Sequence, residues 1–253
     1  VRFSTVLCSW RKRRYSLRRP PDDLIYRVAG TRDPEWFQRS GQLSVADFET
    51  ALRGADRKLA DFQQVLDFGC GCGRILSWMR EVVPEERLCG IDIDAQAVGW
   101  LKPFLPQVEL HVTAPLPPLP FPDGRFDLVY GHSVLTHLNT EYQDAWLQEL
   151  HRITAPGAFL LLSFHGEHAF QVLEDSWRRV QADPSSMRAA WQRDGTLFIE
   201  DDEWKNGPFP DFYHTMFHTA EYVSNHWGRF FQVLNILPQG SLAYQDLAVL
   251  VRR

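Results

Sequence analysis

The residues with the clearest chemical character stand close together in Val65-Leu66-Asp67-Phe68-Gly69-Cys70-Gly71-Cys72-Gly73-Arg74. An acidic side chain is followed by glycines at 69, 71 and 73, directly after an apolar run. Glycines so placed let the backbone turn sharply and let a ligand approach without meeting a Cβ. The free amides at the start of a following helix suit the anionic end of a nucleotide-like ligand. The spacing is not the dinucleotide fingerprint G-x-G-x-x-G/A, because the third glycine comes one residue early. A second acidic residue, Asp92, stands 25 positions after Asp67. That is near the interval of about 20 residues at which a carboxylate meets ribose hydroxyls. A carboxylate accepts from both hydroxyls of one ribose and would repel a 2′-phosphate. Ile93 then offers an apolar face to an adenine. Asp94 is the rival for the ribose role, but as the next residue it should point away or cap a helix opening at Ala95.

The elements that must position these groups follow from the apolar patterning. Strands are predicted at 65–68, 88–93, 108–112, 126–130, 158–164, 231–236 and 243–251. Helices are predicted at 43–62 (broken near Gly54), 74–83, 95–101, 141–153 and 220–227. The β-α-β alternation calls for an α/β, doubly wound, mostly parallel sheet, and the last two strands for a terminal antiparallel hairpin. The chain divides into a basic arm at 1–20, a helical cap at 21–62, a core at 63–165, an inserted helical segment at 166–213, and a final helix and hairpin at 214–253. The proline-rich stretch 115–122 reads as an extended loop. An insertion after a sheet strand commonly forms a lid or substrate wall.

Composition narrows the function classes. The 253 residues are 44% apolar and 13% aromatic, enough to build a core, and the net charge is −5. That balance argues against a nucleic-acid partner; only Arg11-Lys12-Arg13-Arg14 with Arg18-Arg19 is locally basic, and it reads as a solvated arm. Cys8, Cys70, Cys72 and Cys89 show neither a disulfide framework nor a zinc spacing, so no metal is expected. Reduced thiols, no apolar run of about 20 residues and no secretory leader indicate a cytoplasmic protein. The sequence leaves the oligomeric state open.

Taken together, the acidic-glycine loop, Gly90-Ile91-Asp92-Ile93, Leu119-Pro120-Phe121-Pro122-Asp123-Gly124-Arg125-Phe126-Asp127-Leu128-Val129, Ser133-Val134-Leu135-Thr136-His137-Leu138 and Glu149-Leu150-His151-Arg152-Ile153-Thr154-Ala155-Pro156-Gly157 resemble the class I S-adenosylmethionine-dependent methyltransferases. The match covers about residues 60 to 165, and the ending is similar to a bacterial subgroup of undefined substrate. The resemblance implies a Rossmann-like, seven-stranded fold with S-adenosylmethionine as cofactor and S-adenosylhomocysteine as product. It implies that Gly69, Cys70, Gly71 and Gly73 cradle the methionine part and that Asp67 meets its ammonium. Asp92 and Ile93 would hold the ribose and adenine. Thr113 and Ala114 stand at the adenine amino group, where Thr113 departs from the family's acidic residue. Arg39-Ser40-Gly41 would close over the cofactor.

A hydroxyl acceptor needs a base, whereas a neutral amine does not. His132 and His165 stand at the exits of the fourth and fifth strands and His214 precedes the late helix; these three are the candidate bases. His132 and His137 are also candidate cofactor contacts. Trp177, Trp191, Trp204, Phe209, Phe212 and Tyr213 suggest an apolar, ring-stacking wall. The expected function is O- or N-methylation of a small molecule such as a sugar or natural product. The competing readings are a non-catalytic cofactor-binding protein, a nicotinamide enzyme on the same fold, and a nucleic-acid methyltransferase.

Overall fold

The computed structural model describes residues 18–179, 184–200 and 209–253. The basic run 11–14, Cys8 and Trp204 lie outside the described residues. Nine strands and eight α-helices are described: α1 (Asp22–Ala29), α2 (Pro34–Arg53), β1 (Val65–Phe68), α3 (Leu76–Met79), β2 (Leu88–Asp92), α4 (Ala95–Leu101), β3 (Glu109–Val112), β4 (Phe126–Gly131), α5 (Thr140–Ile153), β5 (Thr154–Phe164), α6 (Glu167–Arg179), α7 (Ser185–Asp194), β6 (Thr196–Ile199), β7 (Thr215–His218), α8 (Ala220–His226), β8 (Gln232–Ser241) and β9 (Gln245–Val251). Seven strands form one sheet in the order β3-β2-β1-β4-β5-β9-β8. β1 to β5 run parallel, and β9 is antiparallel to both β5 and β8. The chain leaves β1 toward β3 and returns to β4 on the other side. The ends of β1 and β4 therefore flank the switch point, where open α/β sheets bind ligands.

Alternation along β1 sets the layers. Val65 enters the core shared with α2, α3 and α4, whereas Leu66 and Phe68 enter the core shared with α5 and α8. Asp67 therefore points to the α2–α3 side, beside Tyr130 of the paired strand.

Several elements differ from the sequence reading. The helix expected from position 43 begins at Pro34 and ends at Arg53. Asp33 caps it by accepting from the Glu35 and Trp36 amides, with Pro34 in the first turn. This is a start signal that the aromatic stretch concealed. The helix expected over 74–83 is one regular turn, α3, flanked by irregular turns. Its few amides are spent on backbone carbonyls such as Gly73 and Ile75, so the anchoring of a ligand falls to the loop itself. The insertion holds α6, α7 and also β6, which pairs antiparallel with β7, a strand the sequence did not announce. His214 accordingly precedes a strand rather than the late helix. The insertion has its own small core, where Phe170 and Trp191 stack at 4.4 Å and Arg188 forks onto the buried Glu174 at 2.7 and 2.6 Å.

The proline-rich stretch is a loop tied to α5. Arg152 donates to the carbonyls of Phe121 and Leu119, Glu149 accepts from the Leu119 amide, and Trp146 donates to the Pro115 carbonyl. Among the described residues, no helix is long and apolar enough to cross a membrane.

Candidate functional site

A cavity of about 850 Å³ opens at the switch point. Its floor is Asp67 to Gly71 after β1, Ile91 to Asp94 after β2, Thr113 and Ala114 after β3, and His132 to Val134 after β4. α1 and Ser40 of α2 form one wall. Phe209, Phe212 and Tyr213, ahead of β7, form the other, with Leu242 from the β8–β9 turn.

The glycine loop is shaped by what surrounds it. Gly69 and Gly71 have φ of +86° and +52°, in the left-handed region. A Cβ on Gly69 would stand 2.3 Å from Val134, and one on Gly71 2.5 Å from Val28 of α1. Each glycine thus admits a different neighbour to the cavity rim. Gly71→Ala should cost roughly 1–3 kcal/mol of stability. Adding Val28→Ala should recover only the contact part, because the φ strain remains; chemical denaturation of the single and double variants checks this.

Asp92 is organised by the same loop. Its two oxygens accept from the Gly71 and Asp94 amides at 2.7 and 2.8 Å. Burial still raises its pKa, with those amides opposing. Asp94 caps α4 through the Gln96 and Ala97 amides and pairs with Arg27 at 3.0 Å. The two neighbouring carboxylates thus divide their roles by direction. Asp67 is 2% exposed, and burial raises its pKa to about 8. The Tyr130 hydroxyl and the Arg74 guanidinium favour its ionised form but do not offset burial. The Tyr130 hydroxyl and Asp67 Oδ2 are both sealed from solvent, each beside the other. Burial lowers Arg74 to about 10, with Asp67 opposing.

The histidines separate by their partners. His132 lines the cavity and its Nδ1 lies 2.8 Å from Ser241 Oγ. Burial, and then Arg74, holds it well below the usual histidine range. His137 also lines the cavity, and its Nδ1 donates to the His214 carbonyl at 2.8 Å. A carbonyl can only accept, so the neutral ring carries its proton on Nδ1. Burial pushes His137 down to about 3. Tyr213 stacks on His137 at 3.9 Å and on Phe209 at 4.7 Å, and Tyr26 of α1 approaches Phe209 at 6.3 Å. These rings span the mouth from α1 to the 3₁₀ turn Leu135–His137.

Two candidate bases are corrected. His165 does not line the cavity: Nδ1 donates to the Met216 carbonyl, and Nε2 faces the Gln245 amide at 3.3 Å. His214 is buried outside the cavity lining and serves it through its carbonyl. Arg39 and Gly41 are also outside the lining; Arg39 is exposed, and a Cβ on Gly41 would meet the Arg74 carbonyl at 2.0 Å. Gly41 lets α2 approach the α3 turn, and Ser40 is the member of that triplet in the wall. Gly73 faces Leu101 rather than the cavity. Asp67, Gly69, Cys70, Gly71, Asp92, Ile93, Thr113, Ala114, His132 and His137 all line it. Trp191 belongs to the insertion core.

Sequence reasoning missed Tyr26, Arg27 and Val28 on α1, together with Ser241 and Gln245. Gln245 donates to the hydroxyl of Ser133, a residue at φ +60°. No local spacing links positions 133 and 245.

The cavity fits S-adenosylmethionine. The Asp67 carboxyl on the cavity floor suits an ammonium, the glycine rim has no room for side chains, and Asp92 stands beside the apolar Ile93. The fold is that of the class I S-adenosylmethionine-dependent methyltransferases. A family model described as a methyltransferase domain matches residues 65–157. The malonyl-[acyl-carrier protein] O-methyltransferase of Hahella chejuensis is 28% identical over 119 residues, covering 47% of this chain and 42% of that protein. Among solved structures, the PH0226 protein of Pyrococcus horikoshii has a TM-score of 0.59 at 18% identity, covering 90% of this chain and 98% of that one. Magnesium protoporphyrin IX methyltransferase of Synechocystis, with bound S-adenosylhomocysteine, has a TM-score of 0.57 at 18% identity, covering 99% and 95%. Residues 65–157 carry a methyltransferase domain, and S-adenosylmethionine is the cofactor of that domain. It spans less than half the length of the Hahella relative it matches.

Proposed function

We propose that this protein transfers a methyl group from S-adenosylmethionine to a small, uncharged, ring-bearing acceptor. The observation that carries the reading is that Asp67, the glycines at 69 and 71, and Asp92 line one cavity. Asp67 would take the cofactor's ammonium and Asp92 its ribose hydroxyls, while Ile93, Thr113 and Ala114 would border the adenine. Bound S-adenosylmethionine supplies a methyl already activated on a sulfonium, so catalysis rests on placement.

The acceptor class is argued from what the cavity leaves unmatched. Arg27 is paired with Asp94, Asp92 with two amides, and Arg74 lies beside Asp67. Beyond these stand Phe209, Phe212, Tyr213, Leu242 and two imidazoles held neutral by burial. Such a wall favours a flat neutral ring and would desolvate a charged acceptor without a partner. The insertion, which leads into the aromatic wall, would cover the acceptor. The name of the Hahella relative, for an acyl-carrier-bound malonyl group, supports an acceptor other than nucleic acid.

The test is transfer of tritiated methyl from S-adenosylmethionine to a panel of phenols, neutral glycosides, carboxylates and RNA. Label on neutral ring compounds is expected. Label confined to carboxylates or RNA would overturn the acceptor class.

A further inference from the structure

The sequence offers His132 as a base, but its partner gives it the opposite role. Ser241 is fully buried, and among the described residues its hydroxyl oxygen has one hydrogen-bond contact, His132 Nδ1 at 2.8 Å. A buried hydroxyl always carries a proton, and leaving that proton unmatched costs free energy. Among the described residues the one acceptor on offer is Nδ1. The imidazole nitrogen facing Ser241 therefore holds the lone pair, and the ring proton sits on Nε2. Nε2 has no hydrogen-bond partner among the described residues and is not sealed from solvent, while the ring lines the cavity.

The turn that delivers Ser241 is built at a cost. Leu242 and Ala243 follow it with φ of 55° and 53°, a conformation that non-glycine residues seldom adopt. Asp47 of α2 accepts from the Leu242 amide at 2.8 Å and holds the turn against the cavity. Strain retained beside a binding cavity marks a position that the surrounding fold over-determines.

We infer that Ser241 is a positioning residue that fixes His132 as the neutral Nε2–H tautomer, so that His132 presents a hydrogen-bond donor, and not a base, to an oxygen lone pair of the acceptor. His137, with its proton on Nδ1, is the ring of opposite polarity on the same cavity. The inference selects acceptors carrying a carbonyl, ether or hydroxyl oxygen near the methylated group. It rests on the cavity being a methyl-transfer site. Its first test uses ligand-free protein, so its failure and the failure of that reading are distinguishable.

The test is long-range ¹H–¹⁵N correlation on the full chain labelled with ¹⁵N-histidine, with the His132 signals assigned by their loss in His132→Asn. The wild type should show the Nε2–H pattern, unchanged between pH 6 and 8. Ser241→Ala should shift the pattern toward Nδ1–H, and Ser241→Thr, which keeps the hydroxyl, should restore it. A wild-type Nδ1–H or imidazolium pattern overturns the proposal whether or not the variants fold, and so does an unmoved pattern in Ser241→Ala. Titration of S-adenosylhomocysteine into His132→Phe should give an affinity within about twofold of wild type. A tenfold loss would place the donor on the cofactor and overturn its assignment to the acceptor.

Discussion

Asp92→Ala is expected to weaken S-adenosylhomocysteine binding by roughly 100-fold or more. Two effects add. The ribose loses a carboxylate acceptor, and hydrogen bonds to charged groups contribute about 1.5–3 kcal/mol each. The Gly71 and Asp94 amides lose the oxygens that hold them at 2.7 and 2.8 Å. Among the described residues, the hydrogen bonds that then still tie the glycine loop to the end of β2 are those of the Gly69 and Cys70 amides to the Ile91 carbonyl. Asp92→Asn separates the two effects, because one amide oxygen can still accept from Gly71 while the charge is gone. It should lose about tenfold, and isothermal titration of both variants measures the difference.

Asp67→Asn is expected to move stability and binding in opposite directions. The carboxyl has a folded-state pKa of about 8, against an ordinary value of 3.8. Between those values the folded protein holds a proton that the unfolded chain has released, so stability falls as pH rises from about 4 through 8. The slope approaches about 1.4 kcal/mol per pH unit. Asn carries no charge at any pH and removes this loss. The ligand-free variant should match wild type near pH 4 and exceed it increasingly toward pH 8, as thermal unfolding across pH will read. Cofactor binding should fall at least tenfold, because the ammonium loses its counter-charge. In wild type the ammonium would drive Asp67 to ionise, so binding at pH 7 should release up to one proton. Affinity should rise with pH until about 8 and then level. Titrations in buffers of different ionisation heat count that proton. This is the trade-off expected of a buried charge kept for a ligand.

What the sequence disclosed and what it withheld divide by range. Asp67, the glycines at 69 and 71, and Asp92 are legible because one turn and one sheet register place them, and both are local. β1 pairs with β2 so that Asp67 sits opposite Gly90, two residues short of Asp92. The alternation of strands and helices gave the sheet for the same reason. Asp33-Pro34 was equally local, yet the surrounding aromatics masked it, and α2 was placed nine residues late. The misassignment of Arg39 and Gly41 follows from helical geometry: three consecutive helix residues face three directions, and only Ser40 faces the cavity. His165 and His214 stand near strand ends, but the pairing of β6 with β7 and the bridge from His165 to Phe217 turn them into the insertion's foundation. Ser241 reaches His132 across 109 positions through a hairpin turn whose strained residues are not glycine. Nothing in the spacing of either residue records that contact.

The central claim is that one cavity at the β1–β4 switch point binds the methyl donor through Asp67 and Asp92. Isothermal titration of S-adenosylhomocysteine into ligand-free wild-type protein tests it most directly. Saturable one-to-one binding that Asp92→Ala nearly abolishes is the result predicted here. No binding by the wild type, or an affinity unchanged in Asp92→Ala, would contradict it.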